Sequence, residues 1–165
     1  MSVARSLRHL FATRAGTRRR FTDAVDATIE SAIRGAETRT SGEIRFVIET
    51  ALDLPELWSG ITPRERALQV FSQLRVWDTE LRNGVLLYVL AADRDVEIVS
   101  DRGAASRISP AEWESVCRLI EEHFRAGRFQ EGAVAGVEAV GRLLEREFPV
   151  RSGDRDELPN QPTLL

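Results

Sequence analysis

The stretch RNGVLLYVLAADRDVEIVSDRG, residues 82–103, decides the fold. It starts with Asn83-Gly84, a pair typical of tight turns, and continues as a nearly unbroken apolar run over residues 85–91. A strand of that composition is buried on both faces of its sheet. The polar pair Asp93-Arg94 then reverses the chain, and the apolar positions within residues 96–99 predict a second strand. We therefore predict two neighbouring antiparallel strands at the centre of the protein.

The residues before this stretch predict a further strand and a connecting helix. Residues 43–50 alternate in polarity and are rich in branched and aromatic side chains, as strands are. Thr62-Pro63-Arg64-Glu65 places a hydroxyl, a proline and then a carboxylate in the order of a capping box, which opens a helix, and Ser109-Pro110-Ala111-Glu112 repeats this pattern. A strand, a helix and a strand in succession form a right-handed unit with parallel strands. The predicted sheet is therefore mixed.

Helical spacing of apolar residues predicts helices on either side of these strands. They cover residues 22–37, 62–76, 109–127 and 129–148. The fold class is therefore a three-layer α/β/α sandwich around a small mixed β-sheet. We predict one domain over residues 21–149, preceded by a basic, flexible segment at 1–20 and followed by a disordered tail at 150–165.

Composition excludes several classes of function. The 165 residues are 42% hydrophobic and 30% charged, which fits one globular domain with a real core. The single cysteine rules out an internal disulfide and multi-cysteine metal sites. All 23 basic residues are arginine, so lysine chemistry is absent. A net charge of −3 argues against nucleic acid as a partner.

Residues 1–20 carry six arginines, and no acidic residue precedes Asp23. Leu7, Leu10 and Phe11 could share one side of a short helix, which would allow weak docking to an anionic membrane surface or an acidic partner. We favour the simpler prediction of a frayed, solvated terminus. The segment lacks the long apolar run of a signal peptide, and no stretch has the roughly 20 apolar residues of a membrane span. We therefore expect a cytoplasmic protein.

Several segments, in order along the chain, resemble those of TPM-domain proteins. They are SGEIRFVIE at 41–49, RNGVLLYVL at 82–90, DRDVEIVSDRG at 93–103, FRAGRFQEG at 124–132 and the closing VGRLLEREFP at 140–149. The resemblance extends from about Phe21 to Pro149 and implies the same layered fold. It also implies acidic loops at one edge of the sheet. Some members of the family are described as calcium binders or as weak acid phosphatases.

The predicted strand directions bring polar residues together at one edge of the sheet. The starts of the first two strands and the end of the third meet there. The residues gathered at that edge are Glu43, Asp78, Asn83 and Asp101. Carboxylate and amide oxygens are the ligands that calcium and magnesium prefer, so these residues are our candidate metal ligands, with Ca²⁺ or Mg²⁺ as the cation.

Simpler interpretations stay open for this edge. The three carboxylates could pair with nearby arginines at the surface, each pair worth roughly 0–1 kcal/mol. Those arginines are Arg45, Arg82 and Arg102. Asn83 could serve only the turn. At the opposite edge a second acidic group, Glu49, Asp53, Asp93 and Asp95, could follow the ends of the parallel strands, where α/β sheets commonly hold ligands.

No known catalytic motif is present, and we assign no catalytic residue and no required cofactor. Three functions remain. The first, which we favour, is a non-catalytic interaction or accessory domain that binds a divalent metal and acts near membrane or envelope proteins; the resemblance implies a LemA-type partner. The second is a metal-assisted acid phosphatase for phosphate esters. The third is a calcium-responsive binding domain. We expect a monomer.

Overall fold

The computed structural model describes residues 3–153 and 155–165. A four-stranded sheet lies at its centre, formed by β1 (Ile44–Glu49), β2 (Val85–Leu90), β3 (Asp95–Ser100) and β4 (Thr163–Leu164). The order across the sheet is β3-β2-β1-β4. β1 is parallel to both β2 and β4, whereas β3 is antiparallel to β2. The predicted mixed sheet is confirmed.

The helices lie on both sides of this sheet. They are α1 (Val3–Phe11), α2 (Arg14–Arg18), α3 (Asp23–Glu37), α4 (Leu54–Ser59), α5 (Pro63–Gln73), α6 (Arg102–Ala105), α7 (Pro110–Arg125) and α8 (Phe129–Glu147). Helices α3, α7 and α8 share one apolar core with one face of the sheet, and α4 and α5 share a second core with the other face. This is the predicted three-layer α/β/α sandwich.

Alternation along the strands separates the two cores. In β2, Leu87 faces α3, α7 and α8, while Leu86 and Tyr88 face α4 and α5. Every residue of β2 is buried, as its continuous apolar run predicts. Among the described residues, no helix is both long and apolar enough to cross a bilayer.

Capping boxes begin three of the helices. At the start of α5, the backbone N–H of Thr62 donates to Glu65 at 2.8 Å, and at the start of α7 that of Ser109 donates to Glu112 at 2.9 Å. Both boxes were predicted. The third, in which the Asp53 N–H donates to Glu56 at 3.0 Å, opens α4, a helix that the sequence analysis missed. Its pattern is the same, with Pro55 inside the first turn.

Glycines let α8 approach its neighbours closely. A Cβ built on Gly136 would lie 2.4 Å from Cδ1 of Ile120 in α7. One built on Gly141 would lie 2.7 Å from Cβ of Ala36 in α3. Both distances are too short for a side chain, so the packing of α8 depends on the missing methyl groups.

The structure differs from the sequence prediction at both ends of the chain. Residues 3–18, predicted to be flexible, form α1 and α2, and α1 contacts the turn between β2 and β3 through Asp93. The tail, predicted to be disordered, returns to the sheet as β4. The Arg45 guanidinium donates to the carbonyl oxygens of Pro159 and Gln161 along the way. The polar, proline-containing tail is ordered here because it pairs with an edge of β1 that would otherwise be unpaired.

Candidate metal centre

Three carboxylates from distant parts of the chain meet at one end of the sheet. Glu37 lies in the last turn of α3, Glu43 directly precedes β1, and Asp156 lies in the C-terminal segment. One oxygen from each lies within 4.8 Å of the others, the only such group of acidic, histidine or cysteine side chains in the part of the chain that the structure describes. A single cation could therefore contact all three.

Hydrogen bonds fix the position of each carboxylate. Glu37 Oε1 accepts from the backbone N–H of Ile44 at 2.9 Å, which joins the end of α3 to the start of β1. Glu43 Oε2 accepts from the N–H of Leu158 at 3.0 Å. The Asn160 side-chain amide donates to Asp156 Oδ2 at 2.9 Å. The cluster is thus built from rigid elements on one side and from the returning C-terminal segment on the other.

The electrostatics of the cluster favour a bound positive charge. The pKa of Glu37 is raised to about 8, mainly by burial; the neighbouring Glu43 and Asp156 contribute to the rise, and the hydrogen bond from the Ile44 N–H opposes it. Burial likewise raises the pKa of Glu43 to about 7, with Asp156 again adding to the rise. Among the described residues, no basic side chain pairs with any of the three. A positive charge nearby would favour the ionised form of these carboxylates near neutral pH.

Unused oxygen atoms add to the set of ligands. Glu37 Oε2 and Asn160 Oδ1 are both buried, and neither has a hydrogen-bond partner. Both residues line a cavity of about 290 Å³ together with Glu43 and Asp156. Carboxylate and amide oxygens are hard ligands, so the chemistry of this set fits calcium or magnesium and does not fit zinc or copper.

Of the four ligands predicted from sequence, Glu43 is the one that belongs to this cluster. Asp78 is exposed in the turn before β2. Asn83 is fully buried, and its amide donates to the carbonyl oxygen of Ser41 at 2.7 Å, so it joins the starts of β1 and β2. Asp101 caps α6 by accepting from the N–H of Arg102 at 2.7 Å. Asn83 and Asp101 thus have structural roles at this edge of the sheet.

The alternative prediction, surface ion pairs, is not found either. Within the described residues, neither Glu43, Asp78 nor Asp101 has an arginine nitrogen within 4.0 Å. Arg45, the expected partner of Glu43, instead holds the C-terminal segment through Pro159 and Gln161. Glu43 therefore has no basic partner within the part of the chain that the structure describes.

Two carboxylates of the cluster and the neighbouring Asn160 were missed from sequence. Glu37 ends a predicted helix, and nothing in the local pattern distinguishes it from a solvated residue. Asp156 and Asn160 lie in the tail that composition assigned to disorder.

Two acidic residues of the opposite edge, Glu49 and Asp93, have charged partners within the protein. Glu49 accepts from two nitrogens of the Arg66 guanidinium, at 2.8 and 2.9 Å, and from the hydroxyl of Tyr88 at 2.5 Å. Asp93 is bound by Arg5 at 2.9 Å. Asp53 caps α4, and Asp95 differs, because burial raises its pKa to about 6 and nearby acids add to the rise. Among the described residues, these four acids do not form a group that could hold a metal ion.

The layered sheet, the long glycine-containing helix against it and the acidic edge together define a small α/β/α domain. The chain belongs to the TPM-domain family, whose profile matches residues 18–143. It is 36% identical to the BA42 protein of the psychrophilic bacterium Bizionia argentinensis, whose NMR structure superposes with a TM-score of 0.77 over 87% of this chain and 94% of that one.

Two more distant solved structures share the fold alone. The N-terminal domain of a P. gingivalis protein is 22% identical, with a TM-score of 0.57 over 77% of this chain and 78% of that one. The N-terminal domain of the cg2496 protein of Corynebacterium glutamicum is 15% identical, with a TM-score of 0.55 over 74% and 73%. No curated protein matches the chain.

Proposed function

We propose that this protein is a non-catalytic interaction domain that binds a divalent cation, calcium by preference, between Glu37, Glu43 and Asp156. The observation that carries the proposal is the approach of three carboxylates within 4.8 Å, with no basic partner among the described residues. Like charges at that distance repel, and the burial of Glu43 and the partial burial of Glu37 strengthen the repulsion, while Asp156 is exposed. A divalent cation relieves it.

Calcium fits this geometry better than magnesium. Calcium accepts six to eight oxygen ligands at about 2.3–2.6 Å in flexible arrangements, whereas magnesium demands a compact octahedron and keeps its waters. The cluster offers carboxylates from three separate segments and the free Asn160 oxygen around a cavity of about 290 Å³. A set of ligands assembled in this way suits the larger, more tolerant ion.

Calcium binding would change the surface that the domain presents. Asp156 and Asn160 belong to the C-terminal segment, while Glu37 and Glu43 belong to the body of the domain. A bound ion draws that segment against the body. The affinity of a partner protein that contacts the segment then depends on the calcium concentration. A membrane-associated partner of the LemA type, implied by the family resemblance, is part of this proposal.

A second function uses the same cavity. Arg34 and Arg155 line it beside the carboxylates, and guanidinium groups bind phosphate oxygens. A metal-assisted acid phosphatase would hold its cation on Glu43 and Asp156 and its substrate on these arginines. Turnover of p-nitrophenyl phosphate with added calcium or magnesium, abolished in Asp156→Asn, would establish it. Calcium binding without turnover supports the interaction domain.

The test of the proposed site is thermal unfolding of the full chain with calcium, magnesium or a chelator. A ligand that binds only the folded state raises the unfolding temperature by mass action. We expect calcium to raise it in the wild type and in Asp78→Asn, and to have no effect in Glu43→Gln. The Asp78 variant is a matched control, because it also replaces a carboxylate by an amide, in an exposed residue outside the cluster. Absence of any shift at millimolar calcium would contradict the proposal.

A further inference from the structure

Helix α1 turns its charged side towards the protein. The Arg5 guanidinium donates to Asp93 at 2.9 Å, and the side chain of His9, fully buried, lies 3.2 Å from the same carboxylate. On its other side, His9 Nδ1 accepts from the backbone N–H of Leu52 at 3.0 Å. The side chain of Asp93 is only 7% exposed. The contacts of the buried Asp93 carboxylate with Arg5 and His9 thus fix the rotation of α1 about its axis.

The apolar side of α1 therefore faces outwards. Leu7, Leu10 and Phe11, spaced three and four residues apart, form one stripe and are 47%, 59% and 80% exposed. A helix on the surface of a globular protein normally buries such a stripe against the core. Here the orientation is reversed. Exposed apolar stripes of this kind mark sites of interaction.

Arginines that are unpaired among the described residues lie on the same part of the surface as the stripe. Residues 1–22 contain six arginines and no acidic residue; Arg5 and Arg8 pair with Asp93 and Arg18 pairs with Asp26, which leaves Arg14, Arg19 and Arg20. Arg14 and Arg19 form no ion pair with any residue that the structure describes. Next to Phe11, a cavity of about 240 Å³ is lined by Arg8, Arg20 and Arg94. The surface thus combines a projecting apolar ridge with guanidinium groups of a single sign.

The backbone supports this arrangement at Arg94. Its φ of 56° lies in the left-handed region, which residues with a side chain rarely adopt. Arg94 follows Asp93 in the turn between β2 and β3, so one turn both anchors α1 and presents a guanidinium to the cavity. Strained positions of this kind are held by their surroundings and are frequent at functional sites.

We propose that α1 and α2 form a docking surface for an anionic phospholipid membrane. Leu7, Leu10 and Phe11 enter the boundary between head groups and acyl chains, as the apolar face of an interfacial helix does. The arginines around them contact the lipid phosphates, because a basic segment is attracted to the negative potential of such a surface. A membrane fits better than a protein pocket, since the ridge projects outwards and the charges around it are spread and of one sign.

The test is sedimentation of the full-length protein with lipid vesicles in low-salt buffer. A chelator is present, so that the result does not depend on the metal site. We expect binding to vesicles of phosphatidylcholine mixed with phosphatidylglycerol and little binding to phosphatidylcholine alone. Phe11→Ser should weaken binding about tenfold, since the apolar contribution of one aromatic side chain is lost. Raising the salt concentration should release the protein.

A matched pair of variants provides the control. Leu7 and Leu68 both lie within helices and both are 47% exposed, but Leu68 lies on α5, outside the proposed docking surface. Leu7→Ser should reduce vesicle binding, and Leu68→Ser should leave it unchanged. Circular dichroism of each variant verifies that the fold is intact.

Several results would overturn the proposal. Equal loss of binding in both leucine variants, or equal binding to neutral and anionic vesicles, would show that the ridge and its arginines are not the docking surface. Displacement of the protein from vesicles by millimolar inorganic phosphate would indicate a site for free anions. A concentration-dependent dimer that Phe11→Ser abolishes would show that a second copy of the chain covers the ridge.

Discussion

Glu43 accepts a hydrogen bond of 3.0 Å from the backbone N–H of Leu158, a residue 115 positions further along the chain. This bond ties the most buried carboxylate of the acidic cluster to the C-terminal segment that also supplies Asp156. The ligands of the proposed cation and the order of that segment are therefore coupled. A change in cation binding should therefore change the order of the C-terminal segment, and a change in that order should alter cation binding.

Calcium should slow hydrogen exchange in the C-terminal segment. With calcium at ten times its dissociation constant, exchange at residues 155–160 should slow about tenfold, while α5 is unaffected. Mass spectrometry of exchanged peptides measures both. Asp156→Asn should remove the effect of calcium. Arg45→Gln, which loses the contacts to Pro159 and Gln161, should speed exchange with or without calcium. Calcium-independent exchange in the wild type would argue against the coupling.

Without metal, the free energy of unfolding should fall as the pH rises from about 5 to 8. Burial raises the pKa of Glu37 to about 8 and that of Glu43 to about 7 from a usual value of 4.5, so in this range the folded state binds more protons than the unfolded state. Stability then decreases with pH. Urea unfolding at several pH values, with chelator, gives the slope. Glu43→Gln should flatten it, Asp78→Asn should not, and a rise with pH in the wild type would refute the assignment.

Removing Arg66 should destabilise the protein far more than removing Arg64. Arg66 binds Glu49 through two nitrogens, and the side chains of both residues are almost buried, so Arg66→Ala leaves a buried charge at a cost of roughly 3–5 kcal/mol. Arg64 pairs with Glu97 at the surface, where such a pair is worth about 0–1 kcal/mol. Denaturant unfolding compares the two variants. Similar losses would mean that the Glu49 network is solvated.

Replacing Gly136 or Gly35 by alanine should change the stability of the protein in opposite directions. Gly136→Ala places a methyl group 2.4 Å from Ile120, and overpacking of this kind costs about 1–3 kcal/mol. Gly35 lies within α3 with nothing within 4 Å of its would-be Cβ, so Gly35→Ala should stabilise the protein by about 0.4–1 kcal/mol. Chemical denaturation measures both changes. Equal effects would show that α8 has room to move away from α7.

The central layers of the fold could be predicted because their signals are local. The apolar run of β2 and the capping boxes at Thr62 and Ser109 each lie within a few neighbouring residues, and each appears in the structure as expected. The helix that starts after Asp53 was missed although it carries the same pattern. There the proline lies in the first turn of a short helix of six residues, a length too small to show helical spacing of apolar residues.

The acidic cluster and the ends of the chain could not be predicted in this way. The segment of Asp156 is positioned by hydrogen bonds from Leu158 to Glu43 and from Arg45 to Gln161 that form only on folding, and it contains too little apolar surface to indicate order. The same holds for α1, whose rotation is set by Asp93, a residue far along the chain. Long-range partners decided both outcomes, and a local pattern contains no information on them.

The single cysteine leaves this chain without an internal disulfide, yet Glu37 and Asp156 are far apart in sequence and close together in space. The proposed ion between them would act as a reversible cross-link. Closing a long loop restricts the unfolded chain most, so such a link would stabilise in the same sense as a disulfide. Unlike a disulfide, it would open when the calcium concentration falls and would be indifferent to the redox state of its surroundings.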